Sequence, residues 1–251
     1  MKYKNFPQEF WQKFKDALDQ ELKSNPCPVA AFDADGTLWD TDLGESFFQW
    51  QIRHCRDQFQ VPMPLNPWNH YRNMKASGDP RPAYLWLAQI NEDLSLQKIK
   101  TWAEQAVSAQ EPLPIFPDQR KLIEWLLQNK VEVFIITASV KWAVEPGAKR
   151  LGISEDHVLG VSTKIENDLA TSHPAGAITY REGKIQALLE RTKGVKPFLS
   201  CGNTMGDVFL LENSTQLSLA VGAANHGHEL FETEEKLREH SREKNWLAHQ
   251  F

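Results

Sequence analysis

The sequence has little cysteine and no long apolar run. Only three cysteines occur among the 251 residues, at positions 27, 55 and 201. They lack the spacing of metal-binding motifs and cannot all pair, so we expect reduced thiols in a cytoplasmic protein. No stretch approaches the roughly 18 consecutive apolar residues of a membrane helix, and residues 1–24 contain no signal-peptide core. We therefore expect a soluble protein without a membrane partner.

The chain also lacks an excess of positive charge. Its 28 lysines and arginines are outnumbered by 33 aspartates and glutamates, which gives a formal net charge of −5 at pH 7. Because nucleic-acid-binding surfaces are basic, this balance argues against a nucleic-acid partner. With 41% hydrophobic and 24% charged residues, the composition is that of an ordinary globular protein. The length suits one large domain, or a domain that carries a smaller insert.

Strands and helices are predicted to alternate along most of the chain. The apolar run Val29–Phe32 predicts a short buried strand, and further strands are predicted at 131–137, 196–201 and 217–221. Helices are predicted at 7–23, 118–129, 140–151, 184–192 and 206–213. Strands that alternate with helices favour a parallel sheet covered on both faces, so we predict a Rossmann-like α/β fold.

Two further parts of the chain carry weaker patterns. Residues 157–163 and 177–180 are predicted to be extended, the second as one arm of a hairpin. Residues 226–247 are polar and are predicted to form a surface helix. Its His226 and His228 are expected to be solvated rather than metal-binding.

Residues 45–110 differ from the rest of the sequence. Aromatic stripes typical of helices are separated there by proline-rich breaks, and the segment ends at the hinge-like run "EPLPIFP" (111–117). We predict that 45–110 form an inserted helical cap, while 1–44 and 111–251 form the core domain. Four of the nine tryptophans lie in this insert, where packing is the simplest role for each of them.

Two carboxylates follow the first predicted strand directly, in the run "VAAFDADGTLWDTDLGE" (29–45). Asp33 and Asp35 could belong to a turn, because aspartate and glycine are ordinary turn residues. Alternatively, they could form a site, because alternate residues of an extended segment point to the same side. Like charges held close together disfavour ionisation unless a cation or the chemistry of a substrate compensates.

Other polar side chains are predicted at the ends of the neighbouring strands. The carboxyl ends of parallel strands border the ligand crevice of an open sheet, so residues there should meet. Together they supply carboxylates, hydroxyls, an ammonium group and a flexible turn, as a phosphoryl-transfer site requires. These residues are Asp33, Asp35, Thr137, Ser139, Lys184 and the loop "GNTMGD" at 202–207.

Four motifs, in this order, resemble those of the haloacid dehalogenase-like (HAD) hydrolases. They are "FDADGTLWD", "FIITASVKWAVEPGAKRLGI", "REGK" and "CGNTMGD", which span residues 32–207. The second is similar to its counterpart in the phosphoserine phosphatase-like branch. A calcium-binding EF-hand is excluded, because its loop positions 6 and 12 would be Leu38 and Gly44 rather than glycine and glutamate. A dinucleotide-binding turn would need glycines where the two acids stand.

The resemblance implies a role for each acid. Asp33 is expected to attack phosphorus and form an aspartyl-phosphate, which water then hydrolyses. Asp35 is expected to protonate the leaving alcohol and later to activate water. The dehalogenating members resemble this motif without the second acid, so Asp35 favours cleavage of a phosphate ester.

The remaining motifs imply the contacts of the phosphoryl group and a Mg²⁺ ion. Thr137 is expected to donate a hydrogen bond to a phosphoryl oxygen, with Ser139 as a further substrate contact. Lys184 is expected to neutralise charge and keep Asp33 ionised. The predicted ligands of Mg²⁺ are Asp33, the backbone carbonyl of Asp35, Asn203 and Asp207.

Asn203 departs from the family pattern. Most members resemble Gly-Asp-x-x-x-Asp in the fourth motif, whereas this chain has an amide at the first acidic position. An amide oxygen can still bind a hard cation or contact the substrate, but with one negative charge fewer. We therefore expect a higher Mg²⁺ requirement, which Asn203→Asp should lower.

The substrate is predicted from the run "DTDLGESFFQWQI" (40–52), which resembles the same segment of phosphorylcholine and phosphoserine phosphatases. Asp42 and Glu45 are the candidate contacts of a substrate amine, or they simply begin a helix. Cap aromatics could add cation–π attraction. They are Trp50, Trp68, Tyr71 and Trp86. A carboxylate on the substrate would need a cation, and the candidates are Arg53, Arg56, Arg72 and Arg81.

We predict a Mg²⁺-dependent phosphomonoesterase acting on a small amino-alcohol phosphate: phosphoserine, phosphocholine or phosphoethanolamine. Two alternatives stay open. One is a phosphatase of other small metabolites, such as sugar phosphates. The other is a catalytically weak binding protein with the same fold, suggested only by Asn203.

Overall fold

A computed structural model describes residues 3–251 of the protein. The strands are β1 Val29–Phe32, β2 Glu132–Val140, β3 Val158–Val161, β4 Thr163–Glu166, β5 Leu169–Pro174, β6 Leu199–Gly202, β7 Leu217–Gly222 and β8 Leu247–Gln250. The helices are α1 Gln8–Glu21, α2 Leu43–His54, α3 Pro67–Lys75, α4 Arg81–Gln89, α5 Leu96–Ser108, α6 Pro117–Gln128, α7 Lys141–Lys149, α8 Glu182–Arg191, α9 Val208–Glu212 and α10 Phe231–Glu243. None of these helices is both long and apolar enough to cross a bilayer.

Six strands form one parallel sheet in the order β3-β2-β1-β6-β7-β8. The strand β1 is central and pairs with β2 on one side and with β6 on the other. All four of its residues are buried, which explains their uninterrupted apolar run, since a central parallel strand is covered on both faces. The predicted parallel α/β fold is confirmed.

Two hydrophobic clusters cover the two faces of the sheet. Ala30 and Phe32 of β1 belong to the cluster that includes the apolar side chains of α1 and α6. Val29 and Ala31 belong to the opposite cluster, which includes apolar side chains of α8, α9 and α10. This alternation follows from the two-residue period of a strand. Because side chains cover both faces of the sheet, ligands are expected to meet it at the carboxyl ends of its strands.

The helices α2–α5 share a third hydrophobic cluster with α7. Phe48, Tyr71 and Trp102 are buried in it, beside Trp142 of α7. The rings of Phe48 and Trp86 meet edge to face with centroids 5.4 Å apart. The aromatic stripes of this segment therefore serve mainly to pack its helices. That residues 45–110 act as a separate cap stays a prediction, and α2 begins at Leu43, two residues before the predicted boundary.

The predicted hairpin arm at 177–180 is wrong. The hairpin consists of β4 and β5, joined by residues 167 and 168, both with positive φ. It contacts the helical segment rather than the main sheet. The backbone N–H of Asp93 donates to the carbonyl of Ala170 at 2.8 Å, and the N–H of Ala170 donates to the carbonyl of Leu94 at 2.9 Å. The prediction failed because the polar strands of this hairpin lack an apolar run.

The carboxyl-terminal part of the chain is less superficial than its polar sequence predicts. The strand β8 was not predicted, although it closes one edge of the sheet beside β7. The helix α10 was predicted as a surface helix, yet Glu234, Leu237, Arg238 and Ser241 form a buried stripe along it. These positions are spaced i, i+3, i+4 and i+7, the spacing of one helix face.

Candidate active site

Asp33 follows β1 directly, and Asp35 lies in the tight turn that comes next. The backbone N–H groups of Thr37 and Leu38 donate to the carbonyl of Ala34, and Gly36 adopts φ = +74°. Only glycine suits that conformation readily, and a Cβ atom there would also overlap the amide of Asn203. The glycine of this motif thus allows both the turn and the close approach of the 202–207 loop.

Lys184 joins two of the predicted acids. Its Nζ atom lies 2.5 Å from Oδ1 of Asp33 and 2.5 Å from Oδ1 of Asp207, and all three side chains are buried. Burial and the Asp207 carboxylate raise the pKa of Asp33 to about 7 against the opposing effect of Lys184. Burial lowers the pKa of Lys184, but the two carboxylates outweigh it and leave that pKa raised. One ammonium group therefore serves two carboxylates.

Asp35 lies in a different environment, made of hydrogen-bond donors. Its Oδ1 atom accepts from the indole N–H of Trp39 at 2.7 Å and from the backbone N–H of Leu43 at 2.9 Å. Its Oδ2 atom accepts from the hydroxyl of Ser139 at 2.6 Å. Burial raises the pKa of Asp35, although these donors oppose the shift. A raised pKa favours the protonated form that a general acid needs.

Thr137 and Ser139 both lie on β2 near Asp35, but their hydroxyls differ. The hydroxyl of Ser139 already donates to Asp35. The hydroxyl oxygen of Thr137 accepts from the backbone N–H of Ser139 at 3.0 Å, and its carbonyl accepts from Thr179 at 2.5 Å. Among residues 3–251 the Thr137 hydroxyl donates to no partner, so its hydrogen is available to a ligand. The geometry favours Thr137 as the phosphoryl contact and Ser139 as a support for Asp35.

The loop 202–207 is organised around Asp207. The Oδ2 atom of this carboxylate accepts from the backbone N–H groups of Asn203 at 3.1 Å and Thr204 at 2.9 Å, while Oδ1 accepts from Lys184. Both oxygens therefore have protein donors. Asp207 as a direct Mg²⁺ ligand stays a prediction, and its contacts favour a role in holding the loop and Lys184.

Asn203 lies between Asp33 and a residue that the sequence analysis missed. Its Oδ1 atom is 3.3 Å from the hydroxyl of Thr37, which is 3.0 Å from Oδ2 of Asp33. On the other side its Nδ2 atom donates to Oε1 of Glu234 at 3.2 Å. Glu234 belongs to the polar segment predicted to lie on the surface. Its spacing of three residues from the apolar Leu237 is the signal that could have placed it on the buried face.

The predicted Mg²⁺ site consists of oxygen atoms, which suits this hard cation. Asp33 offers a carboxylate, Asp35 its backbone carbonyl and Asn203 an amide oxygen, and the first and last of these meet at Thr37. No cluster of three or more histidine, cysteine, aspartate or glutamate side chains arranged for a metal occurs in residues 3–251. This donor set fits Mg²⁺, which binds through one or two carboxylates and keeps several waters.

A cavity of about 910 Å³ lies over these residues. The predicted substrate contacts Asp42 and Glu45 line it, and so do three residues that were not predicted, Lys75, Tyr84 and Tyr180. Of the predicted cap aromatics, Tyr71 lines this cavity. The other three lie outside its wall, and so do the four candidate arginines. They are Trp50, Trp68 and Trp86, and Arg53, Arg56, Arg72 and Arg81. The four arginines occupy exposed positions of helical segments, so none of them faces this cavity, and a cation for a substrate carboxylate stays a prediction.

The two acids of the cavity wall already have partners. Oε1 of Glu45 accepts from Nζ of Lys75 at 2.6 Å and from the hydroxyl of Tyr71 at 3.1 Å. Oδ1 of Asp42 accepts from the backbone N–H of Glu45 at 2.7 Å, which caps α2. Burial, with Asp35 and Glu45 nearby, raises the pKa of Asp42 well above its ordinary value. Asp42 thus both caps a helix and faces the cavity.

A family model for haloacid dehalogenase-like hydrolases matches residues 30–212. The chain belongs to this family. The match covers the strand ends and motifs described above, so the resemblance seen in the sequence is confirmed, and with it the assignment to a family of hydrolases.

Three similar proteins are a phosphatase, a functionally unknown protein and a phosphoserine phosphohydrolase-like protein. The chain is 24% identical over 214 residues to phosphorylcholine phosphatase of Pseudomonas aeruginosa. The aligned region covers 71% of this chain and 61% of that protein, so the chain spans less than two thirds of the length of this relative. A functionally unknown protein from Anaerococcus prevotii has a TM-score of 0.74 at 16% identity, covering 99% and 94% of the two chains. A phosphoserine phosphohydrolase-like protein from Francisella tularensis has a TM-score of 0.54 at 17% identity, covering 84% and 92%.

Proposed function

We propose that the protein is a Mg²⁺-dependent phosphomonoesterase that forms an aspartyl-phosphate on Asp33. The observation that carries this proposal is the contrast between the two acids. Asp33 contacts the ammonium of Lys184, which favours the ionised form of this carboxyl against the effect of burial, whereas the hydrogen bonds of Asp35 come from neutral donors alone. Carboxylates in different environments can act as nucleophile and as acid within one site.

The reaction proceeds in two displacements. A carboxylate oxygen of Asp33 bonds to phosphorus as the bond to the ester oxygen breaks, and Asp35 gives its proton to the departing alcohol. Asp35 then takes a proton from a water whose oxygen attacks phosphorus, which breaks the bond to Asp33 and releases inorganic phosphate. This proton transfer contributes on the order of 10²–10⁴-fold.

The other side chains stabilise charge on the transferring group. Lys184 offsets the negative charge of the phosphoryl oxygens, and Thr137 donates its free hydroxyl hydrogen to one of them. When bound, Mg²⁺ would add positive charge at those oxygens, held by Asp33, the Asp35 carbonyl and Asn203.

For the substrate we propose a small amino-alcohol phosphate. Asp42 offers a carboxyl group on the cavity wall at the carboxyl edge of the sheet, and Tyr71 and Tyr84 offer aromatic faces nearby. A cationic amine beside Asp42 would favour the ionised form of this carboxyl against the effect of burial. The similarity to a phosphorylcholine phosphatase supports the same class. The ion pair of Glu45 with Lys75 favours a second candidate, because it neutralises one of the two acids. That candidate is a phosphate ester without an amine, such as a sugar phosphate.

A panel of esters tests the proposal. Purified protein with Mg²⁺ is offered p-nitrophenyl phosphate, phosphocholine, phosphoethanolamine, phosphoserine and a sugar phosphate, and phosphate release is measured. Asp33→Asn serves as the control for contaminating phosphatases. We expect hydrolysis of p-nitrophenyl phosphate and the highest kcat/KM on one of the three amine-containing esters. A preference for the sugar phosphate would support the second candidate, and no hydrolysis at all would contradict a phosphatase.

A further inference from the structure

Glu234 is a buried carboxylate that the proposed reaction does not use. Its side chain is 1% exposed, and a buried charge is costly unless hydrogen bonds compensate for the lost water. Oε2 accepts from the backbone N–H groups of Ala223 at 3.1 Å and Ala224 at 3.0 Å, and Oε1 accepts from Nδ2 of Asn203. Arg238, one turn further along α10, forms its ion pair with Glu235, and its positive charge also acts on Glu234. The direct hydrogen bonds of Glu234 come from N–H donors, one of which is Asn203.

The same contact determines which way the Asn203 amide points. The oxygen and nitrogen of an amide have nearly the same shape, so only hydrogen bonds distinguish the two orientations. If the amide were reversed, its oxygen would face Oε1 of Glu234 with no hydrogen between two acceptors. Glu234 therefore holds the Asn203 oxygen on the side of Thr37 and Asp33. That oxygen is the only atom of the amide that a hard cation accepts as a ligand.

The contact also accounts for the unusual fourth motif. The carboxylate expected at position 203 is absent, but a carboxylate stands at position 234, one hydrogen bond beyond the amide nitrogen. We propose that Glu234 is a positioning residue for Asn203, and that the pair replaces the single aspartate of the family pattern. The proposal rests on the Mg²⁺-dependent function proposed above. The negative charge that the family pattern places at position 203 would then lie at position 234, farther from the cation.

The proposal changes the expected effect of Asn203→Asp. On the sequence alone, this substitution restores the family pattern and should tighten Mg²⁺ binding. In the structure it brings two buried carboxylates into contact, and like charges at that distance oppose each other's ionisation. Only the exchange of both residues, Asn203→Asp with Glu234→Gln, moves the charge while keeping one amide and one carboxylate in contact.

A double-mutant cycle tests the pair. The variants are Glu234→Gln, Asn203→Asp and their combination, with Glu239→Gln as a control at an exposed position of the same helix. Two quantities are measured: the Tm without metal, and the Kd of Mg²⁺ by calorimetry without substrate. We expect Glu234→Gln to weaken Mg²⁺ binding by roughly 10–100-fold, the usual effect of losing a residue that orients a ligand. We expect Asn203→Asp alone to lower the metal-free Tm, and the double variant to recover both quantities.

Distinct outcomes would overturn the inference and the proposed function. Unchanged Mg²⁺ affinity in Glu234→Gln, or a double variant no better than the singles, would refute the positioning role even if the wild type hydrolyses esters. If the cycle shows coupling between the two positions and the wild type binds Mg²⁺ but hydrolyses no ester, the positioning role is supported and the phosphatase is refuted. A wild type that binds no Mg²⁺ would refute both.

Discussion

The two walls of the cavity are built differently. On the sheet side, Lys184 and Asp207 are only 3% and 2% exposed, and each polar group has short contacts to strand ends or to the 202–207 loop. On the helical side, Lys75 and Glu45 are 38% and 18% exposed and contact each other across two helices. Buried groups held by the sheet are fixed in advance for chemistry, as catalysis requires. The more exposed pair lies nearer to the solvent, from which the substrate arrives, and this suits a wall that selects the substrate.

This contrast predicts that the largest effect comes from the sheet side. Asp33→Asn should lower kcat by on the order of 10⁴-fold or more, as loss of a nucleophile does. The metal-free protein should stay folded and gain stability at neutral and higher pH. Because the pKa of Asp33 is raised in the folded protein, ionisation of this carboxyl lowers the free energy of unfolding. This loss begins as the pH rises above the ordinary pKa of aspartate and is complete above about 7.

Hydrolysis of p-nitrophenyl phosphate and the Tm at pH 5 and pH 8 check this prediction. The gain in Tm should be larger at pH 8. Activity retained by pure Asp33→Asn would remove the assigned nucleophile, and a large loss of Tm at both pH values would show that its contact with Lys184 is structural.

The next effect belongs to Asp35. Asp35→Asn should lower kcat by roughly 10²–10⁴-fold for esters of aliphatic alcohols, which need a proton as they leave. The loss should be smaller for p-nitrophenyl phosphate, because nitrophenolate leaves without one. Ser139→Ala is the matched variant, since it removes one donor to Asp35 and leaves the carboxyl in place. Equal losses on both kinds of ester would argue against the acid role.

The same contrast explains how far sequence reasoning reached. Asp33 and Asn203 could be placed because each directly follows a strand, and parallel strands bring such residues to one edge. Thr137 reaches the same edge within β2, two residues beyond the position that pairs with the end of β1. Glu234 and Lys75 could not be assigned to the site in this way. The spacing of Glu234 from Leu237 indicates a buried position, but which faces of α10 and α3 pack toward the cavity depends on the tertiary fold. Short polar elements such as β8 were missed for a related reason: their place is determined by the neighbouring strand rather than by their own sequence.

On the helical wall we expect Asp42→Asn to have the clearest effect on binding. Asparagine caps a helix about as well as aspartate, so α2 should stay intact. If Asp42 meets a substrate amine, KM for phosphoethanolamine should rise by roughly tenfold, in line with a hydrogen bond to a charged group. KM for p-nitrophenyl phosphate, which has no amine, should change little. Glu45→Gln should have a smaller effect, because Lys75 already neutralises that acid. Equal changes on both esters would indicate a structural role for Asp42.

The smallest expected effect separates two substrates of the same class. Lys75→Gln removes the ammonium beside Glu45 and frees that carboxylate. If Lys75 meets the carboxylate of phosphoserine, KM for phosphoserine should rise by about threefold, as for a partly exposed ion pair. KM for phosphoethanolamine, which has an amine but no carboxylate, should stay the same or fall because Glu45 can then attract the amine. Arg53→Gln is the control, since Arg53 is exposed, contacts Gln49 of its own helix and lies outside the cavity wall. Opposite changes for the two esters in Lys75→Gln alone would assign the charge selectivity to the helical wall. Parallel changes for the two esters would argue against a contact between Lys75 and the substrate carboxylate.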